Sequence, residues 1–305
     1  MARWLKITLS IVVVLLLAAG GAYYWYIGDG NPPADVKPYA FDLAAVRAKA
    51  DEMPGGKASE VRVEKIAAFS FPAVASVGGD GWSMVPMTVA SYQLVLPTDT
   101  IIIDTGLNAA MGAAMGAQID DDAYARMDMA MSKANQIIVT HEHADHIGGV
   151  IAYSDPQEIA RALRLNTDQV EGLPRYGLTW PATLKDYAPL DYSGMLAIAP
   201  GVVLIRAPGH TPGSQMVYVK REDGRELLFI GDIGWSLHNV ETGKGRPRLM
   251  ADHFLNEDRA AVFAELAMLK ALHEAEPDLL IVPGHDLAVV DGLIESGAML
   301  AQFRM

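Results

Sequence analysis

The sequence predicts a layered α/β fold, a four-layer αββα sandwich preceded by an N-terminal transmembrane or signal helix. Three observations predict this fold. Short apolar runs alternate along the chain with helix-periodic stretches, several of these runs end at a Gly followed by His or Asp, and the first 28 residues form a separate apolar segment. Runs that are apolar on both faces are typical of strands covered by helices, which indicates sheets enclosed between outer helical layers.

The N-terminal segment contains a run of 21 uncharged residues, 7–27, which as a helix spans the roughly 30 Å hydrocarbon core of a bilayer. Arg3 and Lys6 precede the run, so the positive-inside rule holds the N-terminus in the cytoplasm. The aromatic cluster 23–26 favours a retained anchor, whereas the small residues 18–22 leave a cleaved signal peptide as the alternative. We therefore expect a membrane-anchored catalytic domain outside the cytoplasm, periplasmic or extracellular, or a secreted one if the segment is cleaved.

Three regions follow from the composition along the chain. Residues 1–28 are the anchor or signal segment, 29–60 are a Pro-rich linker with a short helix at 42–53, and 61–305 form the main domain. The last region, about 245 residues long, is large enough for one substantial core.

Charge and cysteine content exclude several function classes. The chain has 24 basic and 37 acidic residues, a net charge of −13, which disfavours binding to nucleic acid. It has no Cys, so thiolate catalysis and iron–sulfur ligation are excluded, and a metal site must use His and carboxylates. We expect a small-molecule substrate and the membrane as partners, and no nucleic acid; the oligomeric state stays open.

The apolar pattern predicts the elements of the main domain. Predicted strands are 61–69, 84–96, 100–103, 136–140, 202–206, 216–220, 226–230 and 279–282. Predicted helices are 121–134, 147–153, 156–163, one capped by Asn256, and 287–301.

A dense cluster of metal-binding residue types follows the strand 136–140. It reads His141-Glu142-His143-Ala144-Asp145-His146. If this stretch is extended, His141, His143 and Asp145 share one side and His146 faces a second point beside it. One segment can thus serve two ions.

Three more candidates, His210, Asp232 and His285, each follow an apolar strand and a Gly. Seven such ligands suit two adjacent divalent ions. We predict His141, His143 and His210 on one ion, Asp145, His146 and His285 on the other, and Asp232 bridging them. Two Zn²⁺ are the first choice, and Fe or Mn is compatible with the same ligands.

These motifs, with the earlier Asp104-Thr-Gly element, resemble the metallo-β-lactamase superfamily from about residue 61 to the C-terminus. The resemblance implies an αββα sandwich with a dimetal site at one edge of the sheets, and the same ligand assignments. It also implies that Asp104 holds a ligand loop in place.

Differences between this sequence and known branches of the family narrow the predicted class of reaction. The bridging Asp232 argues against a true β-lactamase, and the ligand spacings are more similar to acyl-homoserine lactonases and glyoxalase II thioesterases. The segment after Asp232 lacks the glyoxalase II Gly-Cys-Gly-Lys/Arg pattern, and Trp235 stands where the lactonases have Tyr. We predict a hydrolase that cleaves an ester, lactone or related acyl bond with a hydroxide held between two zinc ions, with Asp145 and Asp232 as catalytic residues that orient it.

Two other functions stay open on the same site: a phosphodiesterase or phospholipid hydrolase, and an iron-dependent oxidoreductase similar to persulfide dioxygenases.

The sequence also allows predictions for two loops. The aromatic segment 173–192 is either a substrate wall or ordinary packing. The basic cluster 244–248 is expected to be a solvated loop, with contact to an anionic substrate or a lipid headgroup as the alternative.

Overall fold

Two β-sheets form the centre of the computed structural model, which describes residues 2–305. The first sheet has the order β11-β1-β2-β3-β5 with β4 paired to β1, and the second has the order β10-β9-β8-β7-β6. The strands are β1 Glu60–Pro72, β2 Met84–Val95, β3 Thr100–Ile103, β4 Gln118–Ile119, β5 Gln136–Ile138, β6 Met195–Ala199, β7 Val202–Arg206, β8 Gln215–Lys220, β9 Glu226–Gly231, β10 Leu279–Pro283 and β11 Leu300–Ala301.

Helices connect these strands and cover their outer faces. They are α1 Ala2–Tyr23, α2 Leu43–Ala50, α3 Ala73–Ser76, α4 Ala109–Met115, α5 Asp121–Lys133, α6 Ala144–Ala152, α7 Pro156–Ile159, α8 Thr167–Gly172, α9 Leu237–Thr242, α10 Arg259–Ala275 and α11 Leu287–Glu295. Two π-helical stretches, Tyr24–Gly28 and Leu249–Leu255, lie outside these helices.

The packing confirms the predicted αββα layers. Tyr92 of β2 and Phe229 of β9 meet in the core between the sheets, with ring centroids 4.8 Å apart. On the outer face of the first sheet, β3 and β5 pack against α5 and α6. On the outer face of the second sheet, β7–β9 pack against α2 and α10. Each sheet is therefore buried on both sides, as the unbroken apolar runs predict.

Several helix boundaries differ from the sequence predictions. The helix predicted at 147–153 is Ala144–Ala152, and the helix predicted at 156–163 ends at Ile159. Asn256 is not the N-cap of α10, because its backbone is left-handed at φ 56° and the side chain of Asp258 accepts the capping hydrogen bond from Ala261 N. The last helix ends at Glu295 rather than continuing to residue 301, since β11 pairs in parallel with β1 there.

The N-terminal helix has one apolar segment, Arg3–Gly28, that is long and apolar enough to cross a membrane, with none of it buried against the domain. Such a helix is typical of a membrane anchor or of a signal sequence. Its C-terminal end contacts the domain: Trp82 Nε1 donates to Tyr23 Oη at 3.0 Å, and the Arg248 guanidinium lies 3.9 Å from the centre of the Trp25 ring.

The predicted linker packs against the second sheet. Val46 and Ala50 of α2 are buried on β7 and β8, and Tyr39 donates a hydrogen bond to the backbone carbonyl of Arg206. The domain division at residue 60 stays a prediction.

One buried carboxyl group of α10 lacks a compensating contact. Both oxygens of Glu265 are without a hydrogen-bond partner among the described residues, and the side chain is 1% exposed. Burial, followed by the charges of Glu257 and Asp258, raises the pKa of Glu265 to about 8.

This shift predicts a pH-dependent stability. In the unfolded chain Glu265 ionises near its ordinary value of 4.5, so between that pH and about 8 the folded protein binds one more proton. The free energy of unfolding therefore falls as the pH rises through this window. We expect Glu265→Gln to raise the thermal midpoint, relative to the native chain, more at pH 8 than at pH 5. Glu274→Gln, on an exposed carboxylate, is the control. An equal difference at both pH values for Glu265→Gln would contradict the assignment.

Candidate metal centre

All seven predicted ligand residues lie at one edge of the sandwich, in loops that follow strand ends. His141 lies between β5 and α6, His143 is the N-cap of α6, and Asp145 and His146 are in its first turn. The remaining three follow β7, β9 and β10: His210, Asp232 and His285. The strand alternation predicted for 141–145 is wrong beyond His143, because the helix begins at Ala144 and turns Asp145 towards His146.

One group of donor atoms consists of His141, His143, His210 and Asp232, all within 4.8 Å of one another. His143 Nδ1 lies 3.1 Å from His141 Nε2 and 3.0 Å from His210 Nε2. Asp232 Oδ2 lies 3.5 Å from His210 Nε2 and 3.9 Å from His141 Nε2. Three imidazole nitrogens and one carboxylate oxygen thus converge on a single point.

A second group consists of Asp145, His146 and His285. His285 Nε2 lies 3.4 Å from Asp145 Oδ2, and His146 Nε2 lies 3.8 Å from the same oxygen. The other oxygen of the shared carboxylate faces this group, because Asp232 Oδ1 lies 3.3 Å from His285 Nε2 and 3.5 Å from His146 Nε2. The two oxygens of Asp232 therefore point to two different positions.

The chemistry of these residues fits two cations. His146 Nε2 and Asp232 Oδ1 are buried without a hydrogen-bond partner among the described residues, although both are strongly polar. Such atoms are costly unless a bound ion or water satisfies them. The donors are only imidazole nitrogens and carboxylate oxygens, which suit Zn²⁺, Fe or Mn.

The protonation states favour ligation. Burial, and next the neighbouring imidazoles, lower the pKa of His141 and His143, which keeps a nitrogen lone pair free. Burial alone would raise the pKa of Asp232, but the adjacent His rings outweigh it and hold the pKa well below its usual range. His141 and His143 are therefore favoured as neutral imidazoles. Burial alone would also lower the pKa of His146 and His285, but the neighbouring carboxylates outweigh it and raise both values, so the Asp232 carboxylate stays ionised beside these two rings.

Three of the rings are oriented by an acceptor on their outer nitrogen. His146 Nδ1 lies 2.9 Å from Asp104 Oδ2, and His285 Nδ1 lies 3.0 Å from the backbone oxygen of Thr88. His210 Nδ1 lies 2.6 Å from Glu257 Oε1. Each contact turns Nε2 into the centre, as is typical of metal-binding histidines. Asp104 also accepts from Thr140 N at 2.6 Å, in agreement with its predicted role on the ligand loop.

The basic cluster 244–248 is not a solvated loop throughout, because Arg246 is 2% exposed. Its Nη1 donates to Glu257 Oε1 and its Nη2 to the backbone oxygen of Asp232, both at 2.6 Å. The guanidinium lies 4.5 Å from the centre of the Trp235 ring. A fully buried Arg is rare unless paired, so Arg246 is better understood as a support that joins the His210 and Asp232 loops.

Sequence reasoning missed the roles of Arg246, Glu257 and Trp235. Trp235 Nε1 donates to Asp232 Oδ2 at 2.7 Å, so the indole holds the central carboxylate in place. Glu257 and Arg246 flank the irregular stretch Leu249–Leu255, and no periodic pattern marks them. A Gly is required beside Asp232 as well, since a Cβ at Gly284 would lie 2.1 Å from Asp232 Oδ1.

Glu142 is fully buried and accepts from Thr211 Oγ1 at 2.7 Å and from Gly213 N at 3.2 Å. It therefore fastens the His210 loop to the His141 loop.

Residues of the aromatic segment 173–192 have two different roles. Trp180 and Tyr187 pack against the core, whereas the Tyr176 ring lies 4.3 Å from that of His143.

A cleft of about 500 Å³ opens directly onto the centre. Its lining includes His143, Asp145, Asp232 and His285 together with a mainly apolar wall. That wall includes Phe69, Phe71, Met115, Tyr176, Trp235, Phe254 and Leu255. A small molecule with an apolar group fits this lining.

Fold and centre together define an αββα sandwich protein with a two-position His and Asp centre at one sheet edge. The chain belongs to the metallo-beta-lactamase superfamily, whose family profile matches residues 85–285.

Relatives within the superfamily are hydrolases. The chain is 25% identical over 151 residues to the N-acyl homoserine lactonase AiiA of Bacillus thuringiensis subsp. kurstaki, covering 50% of this chain and 55% of that protein. It is 27% identical over 142 residues to a hydroxyacylglutathione hydrolase of Pseudomonas savastanoi pv. phaseolicola, covering 47% and 48%. The chain thus spans about half the length of these curated relatives.

Solved structures show the same fold. A quorum-quenching N-acyl homoserine lactone lactonase superposes with a TM-score of 0.60 at 18% identity, covering 77% of this chain and 95% of that one. A second lactonase structure, with N-hexanoyl-L-homoserine bound at its metal centre, has a TM-score of 0.59 at 17% identity, covering 79% and 97%.

The contact between Glu257 and His210 generates a prediction. Glu257→Gln keeps the shape of the side chain but removes the charge that pairs with Arg246 and accepts from His210, so the ring loses its fixed orientation. We expect the affinity for a divalent ion at the His210 position to fall about 10–100-fold, measured by competition with a chromophoric chelator. Glu241→Gln removes an exposed carboxylate and is the matched control. Unchanged affinity for both ions in Glu257→Gln would refute the positioning role.

Proposed function

We propose that this protein is a metal-dependent hydrolase of esters, lactones or related acyl compounds that works with two divalent ions. The observation that carries the proposal is the carboxylate of Asp232, whose two oxygens face two separate groups of His and Asp donors. One carboxylate between two positions is the arrangement that a pair of adjacent ions needs. The similarity to lactonases and hydroxyacylglutathione hydrolases supports the same class of reaction.

Two divalent ions at these positions would supply Lewis acidity towards a carbonyl oxygen and a water molecule of lowered pKa. We assign His141, His143 and His210 to one ion, Asp145, His146 and His285 to the other, and Asp232 to both.

The chain's own residues then orient the reactants. Asp232 and Asp145 present carboxylate oxygens to the gap between the positions, where they can accept a hydrogen bond from the attacking water and hold its proton. Trp235 fixes the rotamer of Asp232 through its N–H, so this donor is not free for a substrate carbonyl. This site therefore differs from that of the lactonases, which have a Tyr hydroxyl at the position of Trp235.

The walls of the cleft indicate the substrate class. Phe69, Phe71 and Phe254 line the cleft beside the centre, and Phe71 also lines a second cavity of about 290 Å³ that reaches His285 from the other side. Apolar surfaces next to the reacting position favour an acyl compound with a hydrocarbon tail over a compact polar one.

A phosphodiester is the second candidate substrate. Arg175 is exposed and lies at the edge of the same cleft, where a guanidinium can pair with a phosphate.

The variant Asp232→Ala tests the two-ion site. The change removes the carboxylate that, among the described residues, faces both positions, so we expect the metal content to fall from about two ions per chain to about one. Turnover should fall more than about 100-fold, which exceeds the loss typical when a residue that only hydrogen-bonds to a metal ligand is replaced. Metal analysis of the purified protein and an acyl-hydrolysis assay measure both quantities. Asp291→Asn, on an exposed carboxylate, is the control. Native-like metal content and activity in Asp232→Ala would rule out the proposal.

A substrate panel separates the candidate reactions. Lactones, thioesters, phosphodiesters and β-lactams are offered to the full chain after chelation and reloading with Zn²⁺, Fe²⁺ or Mn²⁺. We expect turnover on lactones or esters; turnover confined to phosphodiesters would support the second candidate. Oxygen uptake in the presence of a persulfide, seen only with the iron-loaded protein, would indicate that the protein catalyses a redox reaction and not hydrolysis.

We also propose that the segment 7–27 is a retained anchor that places the domain outside the cytoplasm. The aromatic cluster 23–26 supports retention, because Tyr and Trp at the end of an apolar helix are typical of the membrane–water interface. A periplasm-dependent reporter fused after residue 30 should be active, and a cytoplasm-dependent reporter at the same place inactive. The reverse pattern would overturn the orientation.

A further inference from the structure

A group of large apolar side chains is exposed around the end of α1. We call them the apolar rim, and its members are Trp82, Met84, Val85, Leu249 and Phe254. Trp82 is 60% exposed, Met84 59% and Phe254 71%. Clustered exposure of this kind marks a surface that contacts a partner or a membrane.

Both parts of the rim are attached to the last turns of the apolar N-terminal segment. The turn between β1 and β2 is attached by the hydrogen bond from Trp82 to Tyr23. The stretch Leu249–Leu255 is attached by the His253 ring, whose centroid lies 5.9 Å from that of Tyr26. Tyr and Trp at a helix end are typical of the membrane–water interface, so the rim lies at the depth of that interface when the helix spans a bilayer.

The rim is continuous with the mouth of the cleft. Phe254 belongs to the rim and also lines the cleft. On the other side, Val85 pairs across the sheet with Phe71, whose ring meets that of Trp235 at 5.9 Å. Since Trp235 donates to Asp232, a run of apolar side chains leads from the helix end to the proposed centre.

We propose that the apolar rim inserts into the interfacial layer of the lipid bilayer, so that the cleft takes an amphiphilic acyl compound dissolved in the membrane rather than one free in water. This inference rests on the proposed hydrolase function and adds the source of its substrate. The partner is the bilayer rather than a second protein, because the rim is continuous with a segment able to span it. An apolar face of this kind enters about 5–10 Å into the headgroup and acyl boundary.

Charge indicates how the rim binds. Beyond Arg3 and Lys6 the chain has 22 basic and 37 acidic residues, a net charge of −15, so anionic lipids repel the domain as a whole. We therefore expect insertion through apolar contact alone, with no requirement for anionic headgroups.

A labelling experiment tests the insertion without reference to activity. Because the native chain has no Cys, single variants Met84→Cys and Thr98→Cys can be labelled with an environment-sensitive fluorophore in the full chain, reconstituted in phosphatidylcholine vesicles. Thr98 is exposed just beyond the other end of β2, and the strand itself, Met84–Val95, spans about 37 Å. We expect the probe at 84 to be blue-shifted and quenched by doxyl-labelled lipid, and the probe at 98 to be quenched only by aqueous iodide. Iodide quenching at 84 as strong as at 98 would overturn the proposal.

Activity then tests where the substrate enters. Trp82→Ser is compared with Trp82→Phe, which keeps the apolar ring but loses the hydrogen bond to Tyr23. With vesicle-bound full chain, we expect Trp82→Ser to lower kcat/KM for a dodecanoyl ester about fivefold to tenfold and to leave a water-soluble butanoyl ester unchanged, while Trp82→Phe retains most activity on both. Equal rates of Trp82→Ser and the native chain on the dodecanoyl ester would refute entry from the membrane. If the native chain turned over none of the acyl compounds of the substrate panel, the hydrolase function would be refuted, while the probe at 84 would still report insertion.

Discussion

The structure depends on one buried carboxylate that two sets of imidazoles share. Asp232 is 5% exposed, and its oxygens face His210 on one side and His285 on the other. An ionised carboxylate at such depth is unfavourable unless positive charge compensates it. The loops after β7, β9 and β10 are therefore arranged around a position that calls for cations, and the rest of the edge supports this arrangement.

The supports come from segments that are distant in sequence. Arg246 joins the backbone of Asp232 to Glu257, which orients His210, while Glu142 fastens the His210 loop to the loop between β5 and α6. Hydrogen bonds to charged groups are stronger in a buried site than in water. The centre is thus held by hydrogen bonds and ion pairs between loops that are distant in sequence.

Much of this arrangement can be predicted from the sequence. Long strands such as β2 are predicted because apolar residues alternate along them, and His210 and His285 because each follows a strand and a Gly. Tertiary contacts decide the remainder. Nothing local distinguishes Asn256 from Asp258 as a cap, two-residue strands such as β11 have no measurable period, and the burial of Arg246 depends on partners brought near by the irregular stretch beside it.

The spread of the donor residues along the chain has a consequence for the order of assembly. The first donor is residue 141 and the last residue 285, 20 residues from the C-terminus. The second position cannot be completed until β10 has joined the second sheet, because His285 follows that strand. Under the proposed function, uptake of the second ion is therefore a late event in folding, and the compartment in which the chain finishes folding selects the ion through the metals it supplies.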